Sequence, residues 1–258
     1  DNASSDNSIE FVKKNFPSVK IVVNSENGGY AKGYNDALQH IKADIYCLIN
    51  SDIEVTKNWL SPVINTFQKE PNTAIIQPKL LDFKNKEKFE YAGAAGGFVD
   101  YFGYPYCRGR VFNELEKDEN QFNDISDIFW ASGACFFIKN DVFKALNGFD
   151  ESYFAHMEEI DLCWRSFNNG HITKYVGHSI AFDCLGKALT KEQNEEEENN
   201  FIGDQRLELF TAMNASANSS FETFPSPLTS SSSNILSISF WQILFPRLRS
   251  PMSLQNSG

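Results

Sequence analysis

CLINSDIEV, residues 47–55, runs from an apolar stretch straight into Asn50, Ser51, Asp52 and Glu54. A short apolar run that ends on side-chain oxygens predicts a buried strand over residues 44–50 with ligand groups at its carboxyl end. In open α/β sheets ligands bind beyond the carboxyl ends of strands, and Mg²⁺ or Mn²⁺ carried on substrate phosphates needs only one or two protein carboxylates. Asp52 is therefore the leading candidate metal ligand. The same residues also suit a plain turn in which Asp52 caps a helix starting near Thr56, and the motif alone leaves both readings open.

Working outward, apolar segments alternate in type. Residues 20–24 predict a β-branched strand, and Tyr34, Ala37, Leu38 and Ile41 mark a helix before the strand at 44–50. A helix over 58–69, with Pro62 tolerated in its first turns, and a strand over 74–81 continue the alternation. This order predicts an α/β fold, a mostly parallel sheet flanked by helices. NGGYAKGYN, residues 27–35, is a Gly-rich turn that opens a helix. It would let backbone at Asn27, Gly28, Lys32, Gly33 and Asn35 approach a ligand, although a tight strand-to-helix connection explains it equally well.

FAHMEEIDLCWR, residues 154–165, places Glu158, Glu159 and Asp161 in the first turn of a helix. Ile160, Cys163, Trp164 and Phe167 follow the i, i+3, i+4, i+7 rule and predict its buried face. The acids complement the helix dipole, so capping is the plain reading of the cluster taken alone. Residues 89–113 are rich in glycine and aromatics and suit a substrate-lining loop, with Arg108 and Arg110 able to meet phosphate or to form structural ion pairs. IFWASGACFFIK, residues 128–139, reads as a buried strand interrupted at Ser132 and Gly133, where a ligand could reach the backbone.

A formal charge of −11 argues against a nucleic-acid surface. Five isolated cysteines fit reduced thiols in apolar segments, Cys47, Cys107, Cys135, Cys163 and Cys184, and no run of ~18 apolar residues predicts a membrane span. After residue 189 the composition turns acidic and Ser-rich, which predicts a poorly ordered tail over 190–258. Within it, the short apolar segment 235–245 offers a peripheral membrane contact.

Taken in order, DNASSDNS (1–8), NGGYAKGYN (27–35), LINSDIEV (48–55), YAGAAGGF (91–98) with YPYCRGR (104–110), FWASGAC (129–135) and GFDESYFAHMEEIDLCWR (148–165) resemble glycosyltransferase family 2. Its bacterial rhamnosyltransferase-like members are the most similar subgroup. The resemblance covers residues 1–189 and implies a GT-A domain, a Rossmann-like sheet that binds a nucleotide-diphosphate-sugar donor and transfers the sugar with inversion. Asp1 matches the aspartate that contacts the nucleotide base, and residues 32–35 lie on the nucleotide-binding turn. Asn50, Ser51 and Asp52 match the DxD motif, with Asp52 holding Mg²⁺ or Mn²⁺. Glu158 and Glu159 correspond to a Glu-Asp pair whose second acid is the general base, so Glu159 is the expected base, Asp161 the runner-up and Glu158 an acceptor-orienting group. Trp130, Ser132, Gly133 and Ala134 would floor the acceptor pocket, with Arg108 beside it.

The sequence departs from the family pattern twice. A strand of the type VVILNWN normally precedes the position of Asp1, which leaves the expected domain without its first strand. In AFDCLGKAL, residues 181–189, Asp183 stands where a metal-binding histidine is usual, and Leu185 replaces a glycine. Asp183 is thus a second candidate metal ligand. The implied setting is cell-envelope polysaccharide synthesis in the cytoplasm at the inner face of the membrane, with a saccharide or lipid-linked acceptor. A nucleotidyltransferase that makes nucleotide-sugars and a non-catalytic remnant are the alternative readings.

Overall fold

The computed structural model describes residues 1–154 and 156–183. Helix α1 (Ser8–Asn15) follows the opening loop, and α2 (Gly29–Leu38) starts directly on the glycine turn. Strands β1 (Ile45–Ile49) and β2 (Ile53–Val55) flank the turn at residues 50–52. Helix α3 (Leu60–Lys69) carries Pro62 in its first turn, where the absent N–H has no helical partner to lose. The long β3 (Thr73–Asp82) precedes the hairpin of β4 (Gly97–Val99) and β5 (Pro105–Cys107), and then the two-residue β6 (Arg110–Val111) and β7 (Glu114–Leu115). Strands β8 (Ile125–Ile128) and β9 (Cys135–Lys139), helices α4 (Asn140–Ala145) and α5 (Glu158–Asn168), and β10 (Ile172–Asp183) complete the described fold.

The main sheet runs β1-β9-β3-β10-β2, with β8 also pairing to β10. Strands β3 and β10 pair in parallel, whereas β9 lies antiparallel between β1 and β3. So β1, β3 and β10 share one direction, but β2, β8 and β9 run against it, and among the described strands of this sheet the β3–β10 pairing alone is parallel: the sheet flanked by helices is mixed rather than mostly parallel. Their carboxyl ends gather at one edge: Ile49 is opposite Cys135, and Asp183 is opposite both Asp82 and Ile53. That edge carries the 50–52 turn.

The sheet is covered on both faces. Leu48, Ile75, Phe136 and Ile138 pack with Phe143, Phe149 and Leu162, while Ile76 and Phe137 pack with Val63 and Phe67 of α3. Adjacent Phe136, Phe137 and Ile138 go to alternate faces, which is the period of a strand buried on both sides. Full burial of each such side chain contributes roughly 1.5–3 kcal/mol.

Two further expectations about the fold are corrected. Residues 20–24 are extended but form no sheet ladder; among the described residues their backbone meets Asp1, which donates to Val22 O and accepts from Asn24. Val19 and Val23 stay 53% exposed, so β-branched content alone has not built a strand where no paired neighbour stands. On α5 the buried face is Glu158, Ile160, Leu162, Cys163 and Ser166, while Phe167 is 61% exposed. Ile160 and Cys163 are buried as predicted, whereas Trp164 and Phe167 pack against the Phe129 ring without full burial. The tail expected over 190–258, with its apolar segment at 235–245, lies outside the described residues, as do Cys184 and Leu185. The four described cysteines are free, with Cys107, Cys135 and Cys163 buried as expected and Cys47 exposed.

Candidate active site

The small residues before β9 tie the site together. Asn50 N–H donates to Ala134 O at 2.9 Å, joining the DxD-like turn to residues 131–134. Ser132 N–H donates to the buried Gln77 side chain at 2.8 Å, and Gln77 in turn donates to Gly93 O at 3.0 Å. Gly93 has φ +135° and a Cβ there would lie 2.4 Å from the Ser132 Cβ, so glycine is required for this approach. Ala131 N–H reaches Cys163 Sγ at 3.4 Å, and the Tyr30 hydroxyl donates to Gly133 O at 2.7 Å. Trp130 is buried and donates its indole N–H to Phe98 O at 2.9 Å, which fixes the β4–β5 hairpin beside this floor. The hairpin presents Tyr101, Phe102, Tyr104 and Tyr106 to solvent.

The three acids of α5 have separate environments. Asp161 is held by Arg165 through contacts of 2.7 and 2.8 Å, and Arg165 also donates to Leu146 O and Gly148 O, so this pair fastens the helix to the preceding turn. Glu158 is 3% exposed. Glu159 is half-buried, but its Oε2 is sealed from solvent and has no hydrogen-bond partner. Burial pushes the Glu159 carboxyl up to about 7, against a downward pull from the backbone amides of Glu159, Gly133 and Ile160. A Cβ built on Gly133 would be 3.6 Å from Glu159 Cδ, so the floor passes directly over the carboxylate. His156 and Met157, immediately before the helix, have φ +71° and +72°. Two successive non-glycine residues in that region store strain, which clusters at functional sites.

On the glycine turn, side chains hold the backbone rather than pointing outward. Asn27 Oδ1 accepts from Asn2 at 2.9 Å and from Gly29 N at 3.0 Å, and Asn24 bridges Asn2 to Gly33 O. A Cβ at Gly28 would meet the Lys32 side chain at 2.6 Å, and one at Gly33 would meet Asn2 at 2.9 Å. Lys32 pairs with Asp36 at 2.5 Å. Asn35, expected as a nucleotide ligand, instead clamps the 149–151 turn: it donates to Phe149 O and Glu151 and accepts from Phe149 N. Asp1 accepts from Ser4 N at 2.9 Å and lines a pocket of ≈ 200 Å³ with Ser8, Ile9, Val12 and residues 20–22.

The elements from α1 to α4, including the turn beyond β1, fall within one family profile, and the acid pair opening α5 lies beyond it. The family described as glycosyl transferase family 2 matches residues 1–146. The chain belongs to glycosyl transferase family 2. It is 23% identical over 194 residues to the N-acetylglucosaminyl-diphospho-decaprenol L-rhamnosyltransferase of Mycobacterium tuberculosis, a match covering 68% of this chain and 62% of that one. It is 25% identical over 141 residues to a low-salt glycan biosynthesis hexosyltransferase of Haloferax volcanii, covering 54% of this chain and 42% of the relative. The chain therefore spans less than two thirds of the length of either relative. The crystal structure of GalNAc-T7 with UDP, GalNAc and Mn²⁺ superposes with a TM-score of 0.55 at 16% identity, covering 71% of this chain and 35% of that one. That likeness establishes the shared GT-A fold.

In this family 2 chain the candidate metal ligands lie on neighbouring backbone. Asp52 is exposed on the turn, and Asp183, 2% exposed, sits opposite Ile53 across the β2–β10 pair. Among the described residues no group of three His, Cys, Asp or Glu side chains could hold a metal. Two carboxylates still suit a divalent cation whose remaining ligands are diphosphate oxygens and water. Arg108, expected beside the acceptor, is held in structural contacts: it donates to Ala95 O, Asp124 and Ser126 and stacks on Phe122 and Tyr175, with the Phe98 ring 5.9 Å away.

Sequence reasoning missed Asn2, Tyr30 and Glu90. Glu90 is 2% exposed; its Oε1 accepts from Ala92 N, and burial followed by the nearby Asp183 raises its carboxyl to about 7. A lone glutamate in a Gly-rich loop carries no signal for this. Tyr30, inside the quoted NGGYAKGYN motif, was within reach.

Proposed function

We propose that this protein transfers a sugar, with inversion, from a nucleotide-diphosphate-sugar to a hydroxyl of a saccharide or lipid-linked acceptor. The observation that carries the reading is Glu159: a carboxylate with one buried, unsatisfied oxygen and proton affinity near neutral pH, next to the floor that also anchors the 50–52 turn. A base poised near the working pH is matched to taking a proton from an attacking hydroxyl. In the proposed step the acceptor O–H gives its proton to Glu159 and its oxygen bonds to the anomeric carbon. The bond from that carbon to the diphosphate oxygen breaks, and the diphosphate leaves with the electron pair. In-line attack from the face opposite the leaving group inverts the centre.

Asp52, with Asp183 behind it, is the proposed seat of Mg²⁺ or Mn²⁺. A cation bound there would neutralise charge on the departing diphosphate. The glycine turn and the pocket at Asp1 are the proposed donor surface, and residues 130–134 with the β4–β5 aromatics the acceptor side, since flat aromatic faces suit sugar rings. The setting in cell-envelope glycan synthesis, and rhamnose as the donor sugar, rest on the named relatives. No described helix is long and apolar enough to cross a membrane.

The pH dependence of transfer tests the reading. The saturated rate should fall on acidification with a midpoint of about 7. A rate that is flat from about pH 5 to pH 8, where a carboxylate of ordinary affinity is always charged, contradicts it.

A further inference from the structure

Tyr30 is where the glycine turn, the acceptor floor and the acid helix meet. Its amide donates to Phe154 O at 2.9 Å, and its hydroxyl donates to Gly133 O at 2.7 Å. The ring is fixed by Tyr34 at 4.7 Å and edge-on by Phe149 at 5.5 Å. Next to it, Gly29 has φ +77°, and a Cβ there would lie 2.1 Å from Phe154 O, so the turn is locked against the segment leading into α5. Burial, then Tyr34, Glu159 and Glu158, hold the phenol well above its ordinary titration range, so it remains an O–H donor at any physiological pH.

Gly133 has no side chain to restrain it, yet its backbone lies against Glu159. We propose that Tyr30 is a positioning residue whose hydroxyl, by holding the Gly133 carbonyl, keeps the Gly133 amide aimed at the Glu159 carboxylate. The proposal rests on the reading of Glu159 as the group that receives the acceptor's proton. The titratable groups that face the Tyr30 hydroxyl are Tyr34 on α2, Glu158 and Glu159 on α5 and Cys135 on β9, and Cys163 and Arg165-paired Asp161 lie on α5 with Glu159. Each stays in place when only the Tyr30 oxygen is removed.

The test is a ¹³C carboxylate titration of glutamate-labelled protein, with Glu159→Gln identifying the resonance. In Tyr30→Phe, with its ring packing kept, the Glu159 midpoint should rise by roughly half to one unit, as expected when an amide bond to a carboxylate loosens. Replacing Tyr30 by 3,5-difluorotyrosine, a stronger donor of similar size, should lower the midpoint and keeps the test open if Tyr30→Phe does not fold. Midpoints unmoved in folded variants would overturn the proposal and leave the hydroxyl a packing contact. Sugar transfer by Glu159→Gln is a separate readout: undiminished transfer would overturn the base reading and the proton-receiving part of this inference, whatever the titration shows about Tyr30.

Discussion

Asn50 and Ala134, 84 positions apart in the chain, are joined by a 2.9 Å backbone hydrogen bond that fixes the turn at residues 50–52 to the segment 131–134. The proposed donor and acceptor sides therefore share one rigid junction. Donor binding should then be readable without turnover. A nucleoside diphosphate with Mn²⁺ should raise the melting temperature, since saturation at 100 times Kd stabilises by about 2.7 kcal/mol. Of UDP, dTDP and GDP, the matching nucleotide should give the largest shift, and Asp52→Ala should abolish its Mn²⁺-dependent part. An equal shift in the variant would remove Asp52 from the cation site.

Asp161→Asn separates the two candidate bases. Loss of the Arg165 pair should cost on the order of 1–2 kcal/mol, measured by denaturant unfolding, because Arg165 also holds Leu146 O and Gly148 O. The acid limb of the transfer profile should stay where Glu159 puts it. A limb that disappears in Asp161→Asn would make Asp161 the base.

Arg108→Ala should act on stability rather than on acceptor affinity. It removes bonds to Ala95 O, Asp124 and Ser126 together with stacking on Phe122 and Tyr175, an expected loss of about 2–3 kcal/mol in unfolding experiments. A selective rise in acceptor KM with unchanged stability would return Arg108 to the acceptor pocket.

Glu90 and Glu159 give the stability a pH slope of defined sign. Both carboxyls are raised to about 7, so the folded state favours their neutral forms. Their stabilisation is complete below the ordinary glutamate value and is lost as pH rises through about 7. Glu90→Gln keeps an acceptor for Ala92 N and removes the buried charge. Its melting temperature should exceed that of the wild type at pH 8 by a few degrees, with the gap closing toward pH 5, at about 2–4 °C per kcal/mol. A gap that is constant with pH would contradict the raised carboxyl.

Much of the fold was legible because apolar runs and glycine turns are local signals. β1, β3, α2, α3 and the 128–139 interruption all fall where the pattern put them. The direction of β9 was not legible, since a strand buried on both faces looks the same either way round. Nor was the orientation of α5: periodicity names a face but not the neighbour that covers it, and Glu158 proved buried while Phe167 was not. The candidate site was legible as residue types at strand and helix ends. What escaped were partnerships across the chain, such as Asn35 with Phe149 and Tyr30 with Gly133, because nothing in a linear sequence marks a pair over 100 positions apart.

The central claim is that Glu159 takes the acceptor's proton, and the most direct measurement is sugar transfer by Glu159→Gln, with nucleotide binding followed in parallel by thermal shift. Removing a general base of this kind is expected to lower the rate by about 10²–10⁴. The account predicts that loss with the Mn²⁺-dependent nucleotide shift intact. Transfer within a few-fold of the wild type, in a variant that still binds nucleotide, would contradict it.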